Sequence, residues 1–348
     1  MEVKGKMKAL VKDKAGPGVT IKLIDIPELG PHDVLLKVTA ASICGTDLHI
    51  FKWDKWASSR IKPPVVIGHE MSGHIVKLGS AVKDWSEGDY VSLECHNICG
   101  QCYQCRTGQA HICRDFSILG VDFDGCFSEF VRVPETNLWK NDKIIPPEIA
   151  CLQDPIGNAV LATASVDIAG KTLLITGCGP IGLFSVGIAR VFGASQIYAA
   201  DKNDYRLNIA KQMGATNIIN TLRQDLMKEV LQLTWENGVD VAVEMSGSLQ
   251  CLHDSLKIVK HGGRLALFGI PEEKICLDVA KDLIFKGITM NGVTGREIFS
   301  TWYKTSALLS SILDVRPVIT HQMKLNQYEE AFEIMQSGQC GKIILYPD

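Results

Sequence analysis

The 348-residue sequence predicts an α/β protein: a doubly wound parallel sheet of six strands joined to a β-rich domain. Three observations carry that prediction. From about residue 155, buried-strand patterns alternate with amphipathic helical patterns, the signature of successive β-α-β units. A G-x-G-x-x-G element, Gly177 to Gly182, follows the first of those strands and opens a helix. Before residue 150, short apolar runs bounded by Gly, Pro, Asp and Ser read as strands.

Taken in order, the first domain has strands at VLLKVTAA (34–41), HIVKLG (74–79), DYVSL (89–93) and FSEFVRVP (127–134), which predict a partly closed barrel of mixed sheets. Between Cys95 and Cys113 the periodicity disappears and Cys, Gly and Gln accumulate, so something other than apolar burial must hold that segment. The second domain begins with a helix at 157–169, a strand at 171–177 and a helix at 180–193 that stops at Gly193. Strands follow at 196–201, 217–220, 239–247, 263–270 and 288–295, with helices at 204–214, 225–235, 249–262 and 279–287 between them. Two further helices, 298–313 and 326–338, precede a last strand, KIILYP (342–347). No helix follows it, so it is expected to return to the first domain. The division is therefore 1–155 with 296–348 as one domain, and 156–295 as the other.

Composition is that of an ordinary globular chain, 46% hydrophobic and 22% charged. A net charge of −3 gives no basic face for nucleic acid or acidic lipid. No apolar run reaches the roughly 18 residues that span a bilayer, and the charged N-terminal stretch lacks a secretory apolar core. A cytoplasmic protein is expected. Twelve cysteines in a reducing compartment suggest metal ligation before disulfides.

Within the fingerprint, Gly177, Gly179 and Gly182 allow a tight turn and close approach of backbone N–H groups to a pyrophosphate, with Pro180 and Ile181 starting the helix whose N-terminus faces it. Asp201 closes the second strand, nineteen residues after Gly182, where an acid binds the adenosine ribose hydroxyls. A carboxylate there repels a 2′-phosphate, so NAD is expected, with Arg206 packing near the adenine although Lys202 and Arg206 add positive charge. Ligands of such sheets lie beyond the carboxyl ends of the strands, which makes Phe268, Gly269, Ile270, Val293 and Thr294 the expected lining of the nicotinamide crevice.

Cys99, Cys102, Cys105 and Cys113 form two overlapping C-x-x-C units and a closing fourth thiol. Four thiolates make a closed tetrahedral shell, which structural zinc prefers and which leaves no position for chemistry. Cys95 lies outside the spacing and reads as a buried thiol.

A second, open site is expected from Cys44, His69 in Gly68-His69-Glu70, and Asp154. A cysteine, a histidine and a carboxylate hold zinc with a free position. Together with SICGTDLHIFKWDKW (42–56), DPIGNAV (154–160), VEMSG (243–247) and TGREIFSTWYK (294–304), these residues make the chain resemble the zinc-dependent medium-chain alcohol dehydrogenases over essentially its whole length. Within that superfamily it is most similar to the branch that oxidises L-threonine at C3.

The resemblance implies a Rossmann domain and a GroES-like catalytic domain. It implies that Cys44, His69 and Glu70 bind the catalytic zinc and that Thr46 and His49 relay protons. Many relatives carry cysteine or glutamate where this chain has Asp154; the residue either reaches the metal or assists the relay. It also implies NAD as hydride acceptor, 2-amino-3-oxobutanoate as product, and a homotetramer or dimer, with the strand ITMNGV as a pairing edge. His96 and Arg296 are expected partners for the substrate ammonium and carboxylate. Two other readings stand beside this one: a dehydrogenase of another secondary alcohol or polyol, such as sorbitol or 2,3-butanediol, and a non-catalytic NAD-binding redox sensor.

Overall fold

The computed structural model describes residues 4–347 and divides into two compact units. The first comprises Met1–Asp154, Glu297–Ser306 and Ile319–Asp348, the second Pro155–Arg296 and Ala307–Val318.

The first unit starts with strands β1 (Lys6–Lys12), β2 (Thr20–Asp25) and β3 (Asp33–Ser42), then helices α1 (Gly45–Lys52) and α2 (Lys55–Arg60). It continues through β4 (Val65–Val66), β5 (Met71–Leu78), β6 (Tyr90–Leu93), β7 (His96–Ile98), α3 (Tyr103–Arg106), β8 (Phe116–Ile118), β9 (Phe130–Pro134), β10 (Leu138–Lys140) and α4 (Pro147–Ala150). Strand β3 is the hub, pairing antiparallel with β5 and, along its first half, with β9. Alternate β3 side chains, Val34, Leu36 and Val38, enter one core with Leu10, Ile50, Ile67, Phe127 and Phe332. The pair β7–β8 stands apart as its own small sheet beside the cysteine segment.

The second unit opens on α5 (Gln153–Ala164), whose first two residues still belong to the first. It then alternates β11 (Thr172–Thr176), α6 (Pro180–Val191), β12 (Gln196–Asp201), α7 (Asp204–Gln212), β13 (Asn217–Asn220), α8 (Leu226–Leu233), β14 (Val239–Glu244), α9 (Leu249–Ile258), β15 (Val259–Leu267) and β16 (Thr289–Gly292). The sheet order is β13-β12-β11-β14-β15-β16, every pair parallel. This is the expected six-stranded doubly wound sheet. Its central strands are continuous apolar runs because helices cover both faces.

The chain ends with α10 (Ser300–Leu309), β17 (Ile319–Lys324), α11 (Tyr328–Ser337) and β18 (Lys342–Tyr346). As expected, the last strand joins the first unit: β18 pairs antiparallel with the end of β3, and parallel with β17.

Three of the differences from the sequence reading fall in the second unit. Residues 307–318 group with the second unit rather than the first. Leu313 there is buried, and its Cδ1 lies 3.2 Å from where a Cβ on Gly187 of α6 would stand. The stretch 279–287 is a π-helical turn at Ala280–Ile284 rather than an α-helix; Val279, Ile284 and Phe285 remain exposed and Leu283 is only partly buried against the core, so little buried apolar surface supports a longer helix. The helix begun at 249 gives way to β15 at Val259, four residues before the expected strand, with the register against β14 shifting between Val239 and Val241.

Candidate functional site

The pairing of β3 with β5 builds the first site. Ala41 near the end of β3 lies opposite Met71 at the start of β5. The residues just beyond β3 and just before β5 therefore meet, and these are Cys44 and His69-Glu70. Gly68 makes the approach possible. Its φ is +92°, and a Cβ there would stand 2.3 Å from the Phe127 ring, so any side chain would push the His69 segment off the core.

Cys44 caps α1 and donates its N–H to Asp47 Oδ2 at 2.9 Å. The helix N-terminus places its positive dipole end by the sulfur. One ligand atom from each of Cys44, His69 and Glu70 lies within 4.8 Å of the others. Asp154, buried in the first turn of α5, is not in that group. Thr46 Oγ1 is 3.8 Å from Cys44 Sγ. His49 is exposed, one turn further along α1, and its Nδ1 is hydrogen-bonded to Asp54 Oδ2.

The electrostatics of this group fit a cation. Asp47 Oδ1 is 3.8 Å from His69 Nδ1, and neither buried atom has a hydrogen-bond partner among the described residues. Burial pulls the His69 imidazole down, but the Asp47 and Cys44 anions outweigh it and raise its pKa to about 10. A thiol, an imidazole and a carboxylate gathered in one partly buried cluster are the donor set of an open zinc site.

Lys342, at the start of β18, reaches the same place. Its buried ammonium bonds Glu70 Oε2, the Ile43 carbonyl at 3.0 Å and Ser42 Oγ at 3.3 Å. Ser42 Oγ also donates to Glu70 Oε2. Burial pulls the ammonium toward neutrality, and the Glu70 and Cys44 anions outweigh it, so its pKa lies above the usual lysine value. One Glu70 oxygen is thus engaged within the protein.

The cysteine lobe is a closed cluster. Cys102 Sγ lies 3.6 Å from Cys105 Sγ and 3.8 Å from Cys113 Sγ, and Cys113 Sγ lies 3.5 Å from Cys99 Sγ. Four sulfurs about 2.3 Å from a common centre stand about 3.8 Å apart, whereas a disulfide needs about 2.05 Å. Backbone N–H groups point at the sulfurs: Cys102 N at Cys99 Sγ (3.3 Å), and Cys99 N and Asp115 N at Cys113 Sγ (3.4 Å each). Donors from Cys105 and Arg114 lower the Cys102 thiol pKa to about 6. The four thiols fit a tetrahedral metal, and none of the four is in a disulfide.

Beside the lobe, Glu94 is buried and accepts His96 Nδ1 at 2.7 Å, His96 N at 3.0 Å and Trp302 Nε1 at 2.9 Å. His96 is thereby held in one orientation. Arg296 is 1% exposed, with Nη1 3.4 Å from Asn158 Oδ1 and its Cδ 2.9 Å from where a Cβ on Gly157 would stand. It packs within the second unit.

In that unit, the fingerprint loop connects β11 to α6. Gly177 has φ +88°, and a Cβ on it would meet Ser246 N at 2.7 Å; one on Gly182 would meet Gly177 O at 1.9 Å. A Cβ on Gly179 would meet nothing within 4 Å. The crowded glycines seat helix on strand, and the open one leaves room for a phosphate at the N-terminus of α6, where Pro180 and Ile181 begin the helix. Asp201, at the end of β12, accepts Cys178 N at 2.6 Å and Asn203 N at 2.8 Å, and is half-exposed, as is Arg206 in the first turn of α7. Phe268, Gly269 and Ile270 leave the end of β15, and Val293 and Thr294 the end of the neighbouring β16. This cradle fits a dinucleotide.

Asp47, Ser42, Lys342, Glu94 and Trp302 were not singled out from the sequence. Asp47 had a local signal, an acid three residues after a helix-capping Cys44. The others are joined only by the fold.

Comparison with known proteins places two family models on the chain: the alcohol dehydrogenase GroES-like domain over residues 30–146 and zinc-binding dehydrogenase over residues 180–311. L-Threonine 3-dehydrogenase of Bacillus licheniformis is 48% identical over 344 residues, 99% of each chain. The enzyme of the same name from Pyrococcus horikoshii is 47% identical over 341 residues, 97% of this chain and 98% of that one. Among solved structures, 2R,3R-butanediol dehydrogenase of Bacillus subtilis superposes with a TM-score of 0.89 at 27% identity, covering 98% of this chain and 100% of that one.

Proposed function

Because this chain belongs to the zinc-dependent medium-chain alcohol dehydrogenases, we propose that it oxidises L-threonine at C3 with NAD⁺, giving 2-amino-3-oxobutanoate and NADH. The observation that carries the substrate is the near-half identity, end to end, with curated L-threonine 3-dehydrogenases. The butanediol enzyme shares the architecture at much lower identity, so fold alone does not choose the alcohol.

Cys44, His69 and Glu70 hold the catalytic zinc, and Cys99, Cys102, Cys105 and Cys113 the structural one. When bound, the catalytic metal supplies Lewis acidity that lowers the pKa of the substrate hydroxyl. Asp47, 3.8 Å from His69 Nδ1, draws that nitrogen toward it by charge, which leaves Nε2 as the ligand atom. Thr46 Oγ1 accepts the hydroxyl proton as its own passes on toward His49. Thr46 and His49 share one face of α1. Asp54 engages His49 Nδ1, so Nε2 exchanges the proton with solvent. Asp154 supplies the remaining carboxylate, as ligand or as relay acceptor; its oxygen-to-metal distance in a zinc-loaded crystal decides which. His96, held by Glu94, orients the substrate's polar end, and Asp201 selects NAD by repelling a 2′-phosphate.

The test is NADH formation followed by absorbance, with L-threonine, sorbitol, 2,3-butanediol or no substrate, each with NAD⁺ and NADP⁺. Turnover is expected with L-threonine and NAD⁺. Turnover with sorbitol or butanediol alone would overturn the substrate and keep the class. No turnover with any alcohol by zinc-loaded protein that binds NADH would favour a sensor.

The chain also forms a homotetramer in this reading. Among the described residues, strand β16 ends the six-stranded sheet with one edge unpaired, and exposed Met290, Ile284 and Phe285 lie on or just before it. Such an edge invites a second copy. Light scattering is expected to return about four chain masses; a monomer would refute the assembly. The thiol-rich metal sites support a cytoplasmic location, where cysteines stay reduced. Among the described residues no helix is long and apolar enough to cross a membrane.

A further inference from the structure

The VEMSG segment carries a buried acid that the chemistry above does not use. Glu244, the last residue of β14, is 2% exposed. Its Oε1 accepts Ser246 N at 2.8 Å, Ser246 Oγ, Gly247 N at 3.1 Å and Thr176 Oγ1 at 3.4 Å. Its Oε2 shares Gly247 N at 3.2 Å. None of these donors is a cation. Burying a carboxylate without a counter-charge is costly, and only a full set of donors offsets it. A residue of this cost at the carboxyl end of a central strand calls for a reason.

The reason lies in what the carboxylate joins. Thr176 ends β11 immediately before the fingerprint, and its carbonyl also accepts Met245 N at 2.8 Å. The Glu244 carbonyl accepts both Phe268 N and Gly269 N at 2.9 Å. The 245–247 turn is therefore wedged between two loops. On one side a Cβ at Gly177 would meet Ser246 N at 2.7 Å; on the other, a Cβ at Gly269 would meet Gly247 N at 2.2 Å and Glu244 Oε2 at 2.6 Å. The ends of β11, β14 and β15 meet around one side chain, at the end of the sheet where dinucleotides bind.

We propose that Glu244 is a positioning residue for the cofactor: its carboxylate clamps the 245–247 turn and so sets the spacing between the fingerprint loop and the Phe268–Ile270 loop. This rests on the NAD reading above. Glutamine keeps the Oε1 acceptor and changes only the Oε2 side, whereas alanine removes the clamp.

The experiment is titration of the zinc-loaded full chain with NADH, followed by fluorescence. Glu244→Ala is expected to weaken NADH binding about tenfold or more, the scale of lost buried hydrogen bonds, while Glu244→Gln stays within about threefold of wild type. In turnover, E244A raises KM for NAD⁺ with kcat within about twofold and KM for L-threonine unchanged, a split that general destabilisation would not produce. If E244A does not fold, the double variant Thr176→Val, Ser246→Ala removes two hydroxyl donors and keeps the acid; about threefold weaker binding is expected. Wild-type NADH affinity in E244A or in that double variant overturns the proposal, as does E244Q binding as weakly as E244A. Failure of the wild-type chain to bind NADH would instead overturn the cofactor reading itself.

Discussion

Replacing Cys44 by serine is expected to lower kcat by about a thousandfold or more while NADH affinity stays within about threefold of wild type. The sulfur is one of three donor atoms gathered at the first site, and it sits at the N-cap of α1. A serine hydroxyl stays protonated near neutral pH and is a poor zinc ligand, so the open site loses its metal or holds it weakly. In the proposed mechanism the substrate hydroxyl then keeps its high pKa, and Thr46 and His49 have no acidic proton to move. The dinucleotide cradle is built from Gly177, Gly182 and Asp201 in the other unit and shares no residue with this site. Metal analysis should find about one zinc per chain rather than two. Turnover near wild type, with metal content measured on the same sample, would defeat the assignment.

The second large effect is on stability. Cys113→Ala is expected to cost about 3 kcal/mol or more, read as a fall in Tm of roughly 6 °C or more. Within Cys99–Cys113 only Cys102, Ala110 and Cys113 are buried, so the lobe has almost no core of its own. Metal binding takes the place of that core: a site absent from the unfolded chain contributes its binding free energy to folding. Cys113 is the keystone, since its sulfur lies against those of Cys99 and Cys102 and accepts two backbone N–H groups. Removing it leaves three thiolates and two orphaned donors. A strong chelator acting on the wild-type protein should shift Tm in the same direction. An unchanged Tm with two zinc ions still bound would show that the lobe stands without metal.

Local sequence determined the repeating architecture and the chemistry within each short segment. Alternation of apolar runs and helical periodicity specified the six parallel strands, because burial between two helical layers demands continuous apolar strands. Cysteine spacing specified the lobe, because two overlapping C-x-x-C units bring three sulfurs, and Cys113, eight residues on, a fourth, within reach of one ion. The glycine fingerprint and Asp201 were legible for the same reason: each works over one β-α-β unit. Where local pattern was weak, the reading failed. Strand β17, ITHQMK, mixes polar and apolar residues along a partly exposed edge and was not foreseen. Only the tertiary structure decided the partners of the buried charges. Lys342 meets Glu70, Trp302 meets Glu94, and Thr176 meets Glu244 across 272, 208 and 68 residues. Periodicity reports which face of an element is buried; it does not report which distant element will lie against that face. A buried charge is stable only with donors or counter-charges at hydrogen-bond distance, and those are supplied by chain path and sheet register.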